Sequence, residues 1–97
     1  MNKEVQDHLA KIKKQISHKS NDLTNKVYIE IWKGSHDTKD NMAGINIMND
    51  KRKLVTNMHL IQLECELSYL ELAKLVVDKL TEDLQGMGYE VIIENNL

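Results

Sequence analysis

The chain has no phenylalanine and no proline, one cysteine, one tryptophan, one arginine and four glycines. A lone cysteine, Cys65, excludes an internal disulfide framework. Without phenylalanine the core must be aliphatic, with Trp32 and three tyrosines as the only large rings. No apolar run approaches the roughly 18 residues that a membrane span needs. The first twenty residues hold Lys3, Lys11, Lys13, Lys14 and Lys19 and no apolar block, so no signal peptide is expected. Proline and glycine are equally absent from 45–85, so neither of these residues interrupts the chain there.

What is present fits one small soluble domain spanning residues 1–97. The chain is 41% hydrophobic and 29% charged, the balance of an ordinary globular protein. Lysine, asparagine and isoleucine are heavily used, as in proteins from AT-rich genomes. Net charge is −2, which gives no global case for binding nucleic acid or anionic lipid. A core this small stabilises little, and oligomerisation is a common remedy.

Periodicity gives the elements. Val5, Leu9, Ile12 and Ile16 form one stripe and predict a helix over 2–19. Residues 26–33 alternate as a strand, with Val27, Ile29 and Ile31 on one face and Tyr28, Glu30 and Trp32 on the other. A second strand is expected over 43–49, with Ala43, Ile45 and Ile47 sharing a face. A tight turn follows at 49–52, then a short third strand over 53–56. The long apolar stretch that follows predicts a helix over 57–86, capped by Thr56 or Asn57, with Gly86 in the left-handed closing position. A last strand covers 89–94. The fold class is α+β, order α-β-β-(β)-α-β, with an N-terminal amphipathic helix and one long helix packed on one face of a small sheet. The opposite face, carrying Tyr28, Trp32, Met48 and Ile92, is either half solvated or a contact surface.

The long helix drives the functional expectation. Thirty residues would span about 45 Å, beyond the roughly 30–35 Å width of a domain this size. Its apolar sector is about twice the stripe that a surface helix needs. Leu63, Leu67, Leu70, Val77 and Leu84 are therefore expected to form a homodimer interface; the alternative is a kinked helix packed within a monomer. Residues 1–26 carry +3, residues 27–56 +1 and residues 57–97 −6. Glu64, Glu71, Asp78 and Glu82 form an acidic stripe on this helix. It is either solvated against the basic first helix or offered to a basic groove in place of nucleic acid.

Catalytic and metal chemistry find no support. Cys65 lies between Glu64 and Glu66, which disfavour a thiolate, so it reads as a core residue. His8, His18, His36 and His59 make no metal-ligand frame; His36, Asp37 and Asp40 share a polar loop only. Gly86-Met87-Gly88 follows a helix and cannot act as a phosphate loop. Carboxylate pairs such as Glu64/Glu71 sit on a convex surface, not in a dry cleft. The α-β-β-β-α order superficially resembles double-stranded-RNA-binding domains. Those domains have a lysine cluster at the start of the second helix, where this chain has Thr56, Asn57, Met58 and His59. No metal or cofactor is expected.

The sequence thus points to a non-enzymatic, protein-binding module of the bacterial cytoplasm. Its size and usage suit an accessory protein of a phage or mobile element, an anti-CRISPR-like inhibitor that blocks the surface of a host defence protein. A basic nucleic-acid-binding protein is the expected partner, met by Glu64, Glu71, Asp78, Glu82, Tyr28 and Trp32. The alternatives are an assembly subunit acting through its own oligomer, and a small regulator touching nucleic acid through Lys11, Lys13, Lys14 and Lys19.

Overall fold

Helix α1 (Lys3–His18) forms because Val5, Ile12 and Ile16 repeat at helical spacing and are all buried. The computed structural model describes residues 3–33, 42–61 and 69–96. A short 3-10 turn, Ser20–Asp22, follows α1 and drops Leu23 into the core. Strands β1 (Lys26–Lys33), β2 (Met42–Met48) and β3 (Leu54–Ile61) then make an antiparallel meander. Helix α2 (Tyr69–Gly86) carries the chain across the sheet to β4 (Glu90–Asn96), which pairs parallel to β1. The sheet order is β3-β2-β1-β4, so α2 joins the two edge strands.

The β2–β3 register is set by the turn between them. Asn49 Oδ1 accepts the backbone N–H of Lys51 at 2.9 Å and of Lys53 at 3.0 Å. Arg52 N–H closes the turn onto the Asn49 carbonyl at 2.9 Å. Arg52 itself adopts φ 61, a left-handed conformation that glycine usually supplies.

Register and burial divide the sheet into two unlike faces. Val27, Ile29, Ile31, Ala43, Ile45, Ile47, Met58 and Leu60 point to the helices and are buried. From α2 they meet Leu72, Ala73, Val76, Val77, Leu80 and Leu84, and from α1 the stripe already named. Each large side chain so enclosed stabilises by about 1.5–3 kcal/mol. No aromatic ring is buried among the described residues; the core is aliphatic, as the missing phenylalanine requires. Thr56, on the same face, donates its hydroxyl to Gln15 Oε1 at 2.8 Å and ties β3 to α1.

The fold class expected from the sequence is the one observed, but the 30-residue helix is not. Residues 57–61 belong to β3, and α2 has 18 residues. Thr56 and Asn57 are strand residues paired with Ile47 and Asn46, not helix caps. Hydrogen bonding to β2 decides this, because Met58 and Leu60 reach the core by alternation while Asn57 and His59 face away. At about 27 Å, α2 fits within the 34 Å longest extent of the molecule. No described helix is long and apolar enough to cross a membrane.

Helix α2 closes on Gly88, not on Gly86. Tyr89 N–H reaches the Leu84 carbonyl at 3.1 Å and Gly88 N–H the Gln85 carbonyl at 3.0 Å, with Gly88 at φ 98. That is the paired-bond helix ending in which a left-handed residue is required. Gly86 is the last helical residue, and a Cβ there meets nothing within 4 Å. Gly88→Ala is therefore expected to lower stability by about 1 kcal/mol, whereas Gly86→Ala is neutral or raises it by up to about 1 kcal/mol. Urea unfolding of the two variants checks the contrast; equal effects would refute this assignment of the cap.

Candidate functional site

Both helices pack on one side, so the other side of the sheet has no helix over it among the described residues. Three cross-strand rows make this uncovered face. One is Leu54, Met48, Tyr28 and Ile92. The middle row is Asn57, Asn46, Glu30 and Glu94. The third runs from His59 through Gly44 to Trp32.

The third row depends on Gly44. Trp32 and His59 both register with Gly44, on the strands either side of it. Those outer strands lie about 9.6 Å apart, two strand spacings, yet the two rings sit with centroids at 5.1 Å and planes at 87°. The indole closes that distance by occupying the space above Gly44. A Cβ placed there would lie 2.1 Å from the Trp32 ring atoms Cε2 and Cζ2. The absence of a side chain at one position thus lets two rings meet edge to face. Trp32 is half-buried and His59 exposed.

The first row has its own covering. The Arg52 guanidinium carbon stands 4.3 Å from the Tyr28 ring centre, and Nη1–H donates to Glu94 Oε1 at 2.5 Å. A cation over a ring at this distance is a favourable cation–π pair. Arginine suits it better than lysine, because the planar guanidinium can stack and hydrogen-bond together. This is the chain's single arginine, set against twelve lysines, and it holds a backbone conformation that costs a non-glycine residue about 1–2 kcal/mol. In the middle row Asn46 Nδ2–H donates to Glu30 Oε1 at 2.7 Å and fixes that carboxylate.

The residues expected from the sequence divide differently. Tyr28 and Trp32 are brought together on the uncovered face, about 13 Å apart along β1 at 3.3 Å per residue. Glu71, Asp78 and Glu82 are exposed on α2, on the far side of the molecule. They do not form a uniform acidic stripe, since Lys74 and Lys79 are exposed among them and Lys79 pairs with Glu82 at 3.4 Å. Asp83 pairs with Lys13 of α1 at 3.0 Å, one real contact between the acidic and basic helices. Glu64, Leu63, Leu67 and Cys65, with His36, Asp37 and Asp40, lie outside the described residues, as does the Leu70 side chain. Val77 and Leu84 are 1% and 2% exposed, so their surface is spent inside the chain and cannot face a second copy. Of the expected dimer residues, Val77 and Leu84 therefore belong to the core instead; among the described α2 side chains Leu75 is the large aliphatic one that is exposed.

Sequence reasoning missed His59 and Arg52. His59 was placed in a helix, but its alternation with buried Met58 and Leu60 marks a strand. Arg52 carried a signal too, as the only arginine in a lysine-rich chain.

A cleft of about 270 Å³ opens between the C-terminal ends of the helices, lined by Ile16, Leu80, Leu84, Met87 and Tyr89 with the Lys13–Asp83 pair at its rim. Among the described residues no cluster of three or more histidine, cysteine or acidic side chains is placed to hold a metal. Comparison with known proteins gives no match to a family, a curated protein or a solved structure.

Two outcomes follow for the uncovered face. Gly44→Ala should displace the indole, cost about 1–3 kcal/mol and alter Trp32 emission, but be nearly neutral in a Trp32→Ala background. A double-mutant cycle by urea unfolding measures this, and additivity would refute the contact. Arg52→Gly should leave stability close to wild type, because relief of the backbone offsets loss of the cation–π pair. Arg52→Ala loses the pair without that relief and should be about 1 kcal/mol less stable than Arg52→Gly.

Proposed function

We propose that the chain is a non-enzymatic, protein-binding module whose contact surface is the uncovered sheet face centred on Trp32, Tyr28 and Arg52. One observation carries this reading. The chain is poor in exactly the residue types that dominate protein–protein contacts, yet its only tryptophan, its only arginine and one of three tyrosines share this face. Tryptophan, tyrosine and arginine supply most binding hot spots. None of these residues is needed for the core, which is filled by isoleucine, leucine, valine, methionine and alanine.

Within that class, small size and AT-rich usage favour a phage or mobile-element accessory protein in the bacterial cytoplasm. It acts, in this reading, by covering a surface of a host defence protein, in the manner of an anti-CRISPR inhibitor. The interspersed Lys74 and Lys79 weigh against α2 as the blocking surface. They leave the sheet face as the stronger candidate for meeting a basic partner.

Capture from a bacterial lysate tests the reading. Immobilised wild-type chain should retain a discrete protein, with affinity reduced about tenfold or more in Trp32→Ser. Asp78→Lys should change it less than twofold, and thermal melts should show both variants folded. Retention that survives Trp32→Ser and Tyr28→Ser but is lost in Asp78→Lys would move the contact to α2 and reject the sheet face.

A further inference from the structure

We propose that the corner made by Trp32 and His59 over Gly44 receives an arginine side chain of the protein partner; this rests on the sheet-face reading above and names what the face takes. The chain itself supplies the precedent. At one end of the face a ring, Tyr28, has a guanidinium over it at 4.3 Å, anchored to a carboxylate, Glu94, on the neighbouring strand. At the other end a larger ring, Trp32, is half-buried on the same strand. Among the described residues no cation lies over it.

The surroundings of Trp32 suit the same ligand. Tryptophan is the ring that attracts a cation most strongly. His59 stands perpendicular to it at 87°, so the two rings make the walls of a corner, with the indole filling the space above Gly44. Glu30 lies two residues back on β1, on the same face, with its carboxylate oriented by Asn46 at 2.7 Å. Trp32 thus has a carboxylate one same-face step away on its own strand, where Tyr28 has one on the neighbouring strand. The chain's only arginine is already engaged on Tyr28, so a guanidinium in this corner comes from another molecule. A planar guanidinium can lie on the indole and hydrogen-bond to a carboxylate together; an ammonium can do one or the other well. A protein segment that presents arginine, such as the wall of a nucleic-acid groove, is the partner this chemistry fits.

Trp32 is the only tryptophan, so its emission reports this corner alone. The probe is a synthetic eight-residue peptide of alternating glycine and arginine, compared at physiological salt with glycine–lysine and glycine–serine peptides and with oligothymidine. The arginine peptide should change the emission saturably and bind at least about threefold more tightly than the lysine peptide. The serine peptide and oligothymidine should give no saturable change. His59→Ala and Gly44→Ala should each weaken the arginine peptide about threefold, and calorimetry on Trp32→Leu should show a loss of about fivefold or more. Glu82→Gln, on the far side, should leave it unchanged. Equal binding of arginine and lysine peptides, or equal weakening by Glu82→Gln, would reduce the effect to general charge attraction and overturn the proposal. Saturation by oligothymidine instead would overturn it in favour of a base-stacking surface. If the arginine peptide fails while lysate capture still depends on Trp32, the arginine ligand is rejected and the sheet-face reading stands. If that dependence fails too, both fall.

Discussion

Two helices on one side of a four-stranded sheet impose a division of labour on every strand. The crossover from β3 through α2 to β4 spans the whole sheet, and α1 packs beside it on the same side. Alternation then sends half of each strand into an aliphatic core and the other half to a face with no helix on it among the described residues. The core side is demanded by stability, because a chain this short has little apolar surface to bury and encloses Val27, Ile29, Ile45 and Ile47 there. The uncovered side is under no such demand, so its composition reports something besides folding.

That composition is uneven in an informative way. Gly44 sits mid-strand, where glycine weakens a sheet by roughly 0.5–1 kcal/mol, and the space it leaves is filled by the indole of Trp32. Arg52 occupies a turn position where glycine would be easier, and its side chain covers Tyr28. In both places a local backbone preference yields to the placement of a ring on the same face. Departures of this kind concentrate where a surface is used. The interactions also order the rings in advance, which lowers the entropy lost when a partner docks.

The sequence disclosed the halves of this structure unequally. Strands β1 and β2 were legible to within a residue, since Val27, Ile29 and Ile31 and then Ala43, Ile45 and Ile47 alternate without ambiguity and all prove buried. Helix α1 was legible from its four-residue stripe. The boundary between the third strand and the second helix was not, for the strand expected over 53–56 runs Leu54–Ile61. From Met58 onward apolar residues are dense enough to satisfy a period of two and a period of 3.6 together, and no glycine or proline separates strand from helix. The pairing of Leu54–Ile61 with β2 breaks the tie, and that pairing is a long-range fact set by the Asn49 turn. The functional expectation inherited the error. A helix begun at 57, twelve residues before Tyr69, had apolar surface to spare and an acidic stripe of full length. The observed α2 spends Val77 and Leu84 internally and mixes lysines among its acids.

Placement of the rings was legible, and its meaning follows from the absent phenylalanine. A chain that builds its core from isoleucine, valine and leucine has no structural use for Trp32, because no buried position among the described residues holds an aromatic ring. A large ring half-exposed on an uncovered face costs solubility and contributes little to the fold. Its placement there, with a glycine beneath it and a histidine beside it, is what supports the proposed binding role. The acidic helix needs no such explanation, since charges on a solvated helix face are the ordinary condition of a soluble protein and exposed ion pairs such as Lys79–Glu82 contribute at most about 1 kcal/mol. The proposed binding role therefore rests less on the charged helix than on the sparse aromatic face, where Trp32, Tyr28 and Arg52 lie outside the buried core.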